Sequence, residues 1–178
     1  MGETDGRFLD AFASWLNALG RDAELLGSVL AAQELEETAR KAAAGGLNYL
    51  FKSLDLIPDG IDDIGYLDDA FVLRVAAAHA VSGGARSHQA VLQLASESAL
   101  VRDFLGDVYE RLDRYVAGLR TGAARGRTVQ DILSDESVLE TFIEDVKVFA
   151  SSYRAPSFSK DPKSLIKLRA FFDAKLPK

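Results

Sequence analysis

The chain of 178 residues contains no cysteine, four prolines and two histidines. Without cysteine it has no disulfides, no thiolate metal ligands and no thiol nucleophile. This composition fits a reducing compartment, and residues 1–5 are acidic, unlike the basic start of a signal peptide. We therefore expect a cytoplasmic location.

The sequence also lacks an apolar run long enough to cross a membrane. A membrane-spanning helix needs about 20 predominantly apolar residues. The longest mostly apolar stretch, residues 70–81, is interrupted by Arg74 and His79. No transmembrane segment is predicted.

Positive charge is scarce except at the C-terminal end. The net charge is −6, but residues 156–178 carry six Lys or Arg and two Asp, which leaves −10 for residues 1–155. An acidic body repels phosphates, so no nucleic-acid partner is expected. The basic segment, predicted to be a helix, has two interpretations. Its apolar face packs on or near the body, or the helix makes weak peripheral contact with an anionic membrane.

Ala and Leu are abundant, and apolar residues recur at helical spacing throughout the chain. We therefore predict an all-α fold, a single compact helical domain of about six to eight helices over residues 1–178. The first helix is predicted over residues 5–19, with Gly20 as its stop and Asp22 as the cap of the next helix. Gly45 and Gly46 are predicted to break or kink that second helix.

Further helix boundaries follow from glycine and capping residues. A helix that begins near Tyr66 is predicted to end at Gly83, and a later long helix to break near residues 96–98 or at Gly106. Three more helix starts are predicted from their capping side chains: Thr128, Ser134 or Asp135, and Asp161 followed by Pro162.

The most informative stretch is an aspartate-rich turn between two predicted helices. It reads Leu54-Asp55-Leu56-Ile57-Pro58-Asp59 and then Ile64-Gly65-Tyr66-Leu67-Asp68-Asp69. These two segments resemble the D-L-I-P-D and G-Y-L-D-D elements of the YkvA-like family, a bacterial domain of unknown function. The resemblance covers about residues 47–81 and implies a helical hairpin around a rigid turn, sometimes in proteins associated with membranes. It implies no established activity.

The turn departs from the family pattern in two places. Asp62 and Asp63 stand where family members usually carry a second proline and an apolar residue, and Leu54 stands where many have proline. The turn is thus more acidic, and less stiffened by proline, than the family pattern implies.

The acidity of the turn has two interpretations. Six carboxylates fall within fifteen positions: Asp55, Asp59, Asp62, Asp63, Asp68 and Asp69. Like charges repel unless backbone N–H groups, basic side chains or a cation neutralise them, and hard cations such as Mg²⁺ or Ca²⁺ bind carboxylate oxygens. The spacing is not that of an EF-hand loop. In the structural interpretation the aspartates form local turns, Asp62 or Asp63 caps the following helix, and the last two occupy its first turn.

No catalytic residue and no other cofactor are predicted. Asp68 and His79 lie about 16 Å apart along one predicted helix, too far for an acid–base pair. Arg120, Arg125 and Arg127 flank a loop, where they either bind an anion or are merely solvated.

We therefore predict a non-enzymatic helical interaction or scaffold domain with an unknown protein partner. The alternatives are a divalent-metal hydrolase that acts through the six aspartates and peripheral membrane association through the C-terminal helix.

Overall fold

The computed structural model describes residues 2–61, 63–86 and 88–178 and confirms the all-α class. The helices are α1 (Glu3–Ala31), α2 (Glu37–Tyr49), α3 (Leu67–Ser82), α4 (Gln89–Ser96), α5 (Ser98–Leu105), α6 (Tyr109–Gly118), α7 (Val129–Ser134), α8 (Glu136–Ser152) and α9 (Pro162–Lys175). Single 3₁₀ turns span Gly106–Val108 and Leu119–Thr121, and a small antiparallel hairpin pairs β1 (Ala123–Ala124) with β2 (Arg127–Thr128).

The first helix shows that two of the predicted boundaries are wrong. α1 continues through Gly20 and Asp22, and both residues are buried. A Cβ at Gly20 would lie 3.0 Å from the carbonyl oxygen of Ala150 in α8, so the glycine permits close packing rather than ending a helix. The Asp22 carboxylate pairs with Arg74 of α3 at 3.0 Å instead of capping a helix.

The predicted break at Gly45 and Gly46 is also wrong, because both residues lie inside α2. A Cβ on Gly46 would overlap the Cβ of Ala76 in α3. Glycine weakens a helix by about 1 kcal/mol relative to alanine. At this position it allows the backbones of α2 and α3 to approach each other closely.

Replacing Gly46 with alanine should therefore destabilise the protein by about 1–3 kcal/mol, because the inserted methyl group overpacks the contact with α3. The double variant Gly46→Ala/Ala76→Gly should recover much of this loss, because it moves the methyl group to the other helix. Urea unfolding of the three proteins measures both effects. A single variant as stable as the wild type would show that the two helices separate without cost.

The end of α1 at Ala31 and the start of α2 at Glu37 were not predicted, but several other boundaries follow local sequence signals as expected. α3 ends at Ser82 before Gly83, and the backbone between α4 and α6 is interrupted at Glu97 and by the 3₁₀ turn that starts at Gly106. The predicted N-caps Thr128, Asp135 and Asp161 each accept a hydrogen bond from a backbone N–H of the following helix.

The core surrounds α3, which contacts α1, α2, α4, α5 and α6. Phe71 of α3 lies 5.0 Å from the ring centre of Phe12 and stacks at 5.1 Å on Phe172 of α9. The basic C-terminal helix thus buries its apolar face against the body. In the parts of the chain that the structure describes, no helix combines the length and apolarity needed to cross a membrane.

Candidate functional site

The turn between α2 and α3 follows an irregular path. Asp63 and Tyr66 adopt the left-handed region, with φ of 72° and 66°, which is unfavourable for residues other than glycine. A Cβ on Gly65 would overlap the carbonyl oxygen of Asp59, so a glycine is required there. The N-cap of α3 is Tyr66, whose side chain makes no capping hydrogen bond. Asp63 is therefore not the N-cap of α3, which excludes one of the two caps that the structural interpretation named; the other, Asp62, lies outside the described residues.

Asp68 stabilises this turn through buried hydrogen bonds. Its side chain is fully buried, and its Oδ2 accepts hydrogen bonds from the Tyr49 hydroxyl at 2.5 Å and the Ile57 N–H at 3.1 Å. The Tyr49 hydroxyl accepts a hydrogen bond from the Leu56 N–H at 2.7 Å. One side chain from α2 and one from α3 thus hold the backbone on the N-terminal side of Pro58.

The same region contains two buried oxygen atoms without a partner. Within residues 2–61, 63–86 and 88–178, neither Asp68 Oδ1 nor Asp69 Oδ2 forms a hydrogen bond. Asp69 is 4% exposed and directly follows Asp68 in the first turn of α3. An unpartnered ionised carboxylate is strongly disfavoured in such surroundings, so this site favours a proton or a cation.

The electrostatics of the cluster agree with this conclusion. Burial, with smaller contributions from Asp59 and Asp68, raises the pKa of Asp55 to about 7. Burial raises the pKa of Asp68 to about 6 against the opposing hydrogen bond from Tyr49. Burial also raises the pKa of Asp69 well above its ordinary value, with the nearby charges of Asp68, Asp59 and Asp55 adding to the shift. The four carboxyl groups therefore interact as one cluster.

Four tyrosines surround these carboxyl groups, and sequence analysis missed them as part of the site. They are Tyr49, Tyr66, Tyr115 and Tyr153. Burial raises the pKa of each phenol, with negative charge nearby as a further cause, and for Tyr115 the pKa rises to about 12. Their rings pack in two edge-to-face pairs, with centroid distances of 6.2 Å and 5.2 Å. Tyr66 belongs to the turn itself. The other three, Tyr49, Tyr115 and Tyr153, come from α2, α6 and the residue after α8, so no local pattern could have indicated them.

The predicted metal ligands are thus brought together in part. The cluster contains four of the six aspartates, namely Asp55, Asp59, Asp68 and Asp69. Asp63 shapes the turn through its left-handed backbone conformation, and Asp62 lies outside the described residues. Among the residues that the structure describes, no group of three or more His, Asp or Glu side chains is arranged to hold a metal ion. The metal site remains a prediction.

The outer surface of the turn has a different character. Leu54 is 82% exposed and lines a cleft of about 230 Å³ between residues 52–54 and 123–126. Lys52 and Arg125 also line this cleft. Arg127, by contrast, belongs to the fold, because it pairs with Asp145 at 2.7 Å and lies over the ring of Phe142.

Comparison with known proteins gives a match to the segment that contains the turn. A family model described as "Protein of unknown function (DUF1232)" matches residues 39–74, which span most of α2, the turn and the first half of α3. No curated protein and no solved structure matches the chain. The matched segment is consistent with the resemblance to the YkvA-like family, and it contains Tyr49 and all the aspartates of the cluster.

Proposed function

We propose that this chain is a non-enzymatic helical interaction domain, and that the turn between α2 and α3 is its binding element. The observation that carries the proposal is Leu54, the most exposed large apolar residue among those that the structure describes. A single exposed leucine is common on protein surfaces. This one, however, borders a cleft and lies two residues before the backbone that Tyr49 and Asp68 hold through hydrogen bonds to Leu56 and Ile57. A prearranged loop loses little conformational entropy on binding, which favours association.

A photo-crosslinking amino acid at position 54 tests this proposal in cells that produce the native protein. Irradiation should give a discrete crosslinked product with a partner protein. The matched control is the same amino acid at position 166 in α9, because Ile166 is 69% exposed but does not line the cleft. Absence of a product from position 54, or the same products from both positions, would contradict the proposal.

The second candidate function is divalent-cation binding in the aspartate cluster. It is favoured by the two buried oxygens without partners, Asp68 Oδ1 and Asp69 Oδ2. A bound Mg²⁺ or Ca²⁺ would require Asp55 and Asp59, which are nearer the surface, to turn toward these oxygens. Only after binding is established would a metal-assisted hydrolase activity be worth testing.

This candidate predicts saturable binding of Mg²⁺, Ca²⁺, Mn²⁺ or Zn²⁺ in calorimetry, together with a higher melting temperature. At a free-ion concentration about 100 times Kd, the stabilisation should reach about 2.7 kcal/mol. Asp69→Asn should abolish both effects. The control Asp107→Asn changes the same charge on an exposed 3₁₀ turn and should leave them intact. If the wild type binds none of the four ions, the second candidate and its hydrolase activity are wrong.

A further inference from the structure

The cleft beside the turn combines an apolar wall with positive charge. It is bounded by Lys52, Leu54 and Arg125, and by the small side chains of Ala123 and Ala124. None of the described residues that line it is a carboxylate. On a chain with a net charge of −6, this is a local reversal of charge.

Aromatic rings, rather than carboxylates, orient the two cations. Lys52 Nζ lies 5.7 Å from the ring centre of Tyr115, and the Arg125 guanidinium lies 4.8 Å from that of Phe51. In the described ranges of the chain, neither cation takes part in an ion pair. Cation–π contacts position a cation without neutralising it. Lys52 lies near enough to Asp55 for their charges to interact, but neither cation is held in an ion pair, so both can pair with a ligand.

The hairpin that carries Arg125 would itself favour a different residue. Arg125 and Gly126 have φ of 50° and 76°, so they are the two central residues of a type I′ turn. Asparagine is preferred at the first of these positions, because it tolerates the left-handed conformation better than arginine. The geometry of the turn thus gives no reason for a cation at position 125. Binding of an anionic ligand would give such a reason.

From these observations we infer that the cleft binds an acidic segment of a partner protein, a short stretch in which carboxylates alternate with apolar side chains. Lys52 and Arg125 pair with the carboxylates, and an apolar side chain contacts Leu54 and the two alanines. This inference rests on the proposed interaction function and adds the chemistry of the partner.

A short peptide fits this surface better than an anionic bilayer does. Asp59, on the same turn, is exposed, and residues 1–155 carry a net charge of −10. A flat anionic membrane would approach these charges together with the cleft and be repelled. A narrow segment can reach the two cations and avoid the rest of the acidic surface.

The test uses the full-length, ¹⁵N-labelled protein and two blocked hexapeptides, an alternating Leu-Glu peptide and its uncharged Leu-Gln counterpart. The Leu-Glu peptide should shift the amide resonances of residues 52–54 and 123–126 saturably. The Leu-Gln peptide should bind at least about tenfold more weakly. Raising the salt concentration from about 50 mM to about 300 mM should weaken binding further.

Arg125→Asn separates binding from folding. It should weaken binding of the Leu-Glu peptide about tenfold, while the melting temperature does not fall, because Asn-Gly suits a type I′ turn. Arg154→Asn serves as the control, because Arg154 is exposed just after α8 and does not line the cleft, so its loss should leave peptide binding unchanged. An effect of Arg125→Asn no larger than that of Arg154→Asn would overturn the inference.

The other outcomes distinguish this inference from the function on which it rests. Equal binding of both peptides at the cleft would overturn the inference that the partner segment is acidic. The cleft would then be an apolar interaction surface, and the proposed function would stand. Arg125-dependent binding of phosphatidylglycerol vesicles without peptide binding would overturn it in favour of a lipid ligand. No peptide binding, with crosslinking from position 54 retained, would overturn the inference and leave the proposed function standing.

Discussion

Replacing Asp68 with alanine should lower the free energy of unfolding by about 2–6 kcal/mol. The change removes the acceptor for the Tyr49 hydroxyl and the Ile57 N–H, and both groups are buried. Each buried donor left without a partner costs about 1–3 kcal/mol. The loss should be visible as a lower urea midpoint at neutral pH, with the helical circular dichroism signal retained in the absence of urea.

Asp68→Asn is the matched control for this prediction. Its amide oxygen can occupy the position of Oδ2 and accept the same two hydrogen bonds, so the loss should be clearly smaller than in Asp68→Ala. A similar loss in both variants would mean that the negative charge of Asp68, rather than its accepted hydrogen bonds, stabilises the turn. That result would favour a bound cation at the cluster.

The second large effect should be a fall in stability as the pH rises from about 5 to about 8. In the unfolded chain, aspartates ionise near their ordinary pKa of about 3.9. In the folded protein, burial raises the pKa of Asp55 to about 7 and that of Asp68 to about 6, and it also raises the pKa of Asp69. Between the unfolded and folded pKa values, the folded state therefore binds more protons than the unfolded state.

The sign of the pH dependence follows from this difference in bound protons. The free energy of unfolding decreases with pH wherever the folded state holds more protons, so the fold is most stable, with respect to these groups, below the unfolded pKa. For fully buried Asp68, a shift of about two units corresponds to about 3 kcal/mol. Asp55 contributes less than its shift implies, because it is partly exposed and solvent screens its interactions.

Urea unfolding of the wild type and Asp69→Asn over this pH range, in the presence of a chelator, checks the prediction. The variant should flatten the pH dependence, because it removes one buried charge and lessens the repulsion on the others. Exposed groups with a lowered pKa, Glu37, Asp131 and Asp135, titrate below this range and do not interfere. Stability that rises with pH, and does so only after a divalent cation is added, would support the metal-site candidate instead.

Much of the candidate site was visible in the sequence, but its organisation was not. The run of aspartates marked residues 55–69, and Asp68 and Asp69 do occupy the first turn of α3. The sequence did not indicate that Asp68 would be fully buried beneath Tyr49, or that Leu54 would stand 82% exposed beside Arg125. Adjacent positions in one turn can face inward or outward, and only packing against α2 and the hairpin decides which.

The sequence by itself determined the helical class, the place of the aspartate turn and the helix starts at Thr128, Asp135 and Asp161. These features depend on hydrogen bonds and backbone preferences within a few residues, so they can be read locally. Only the tertiary structure decided that Gly20 and Gly46 bring helices together rather than end them. It also decided which carboxylates share a buried cluster, because close packing and burial depend on residues far apart along the chain.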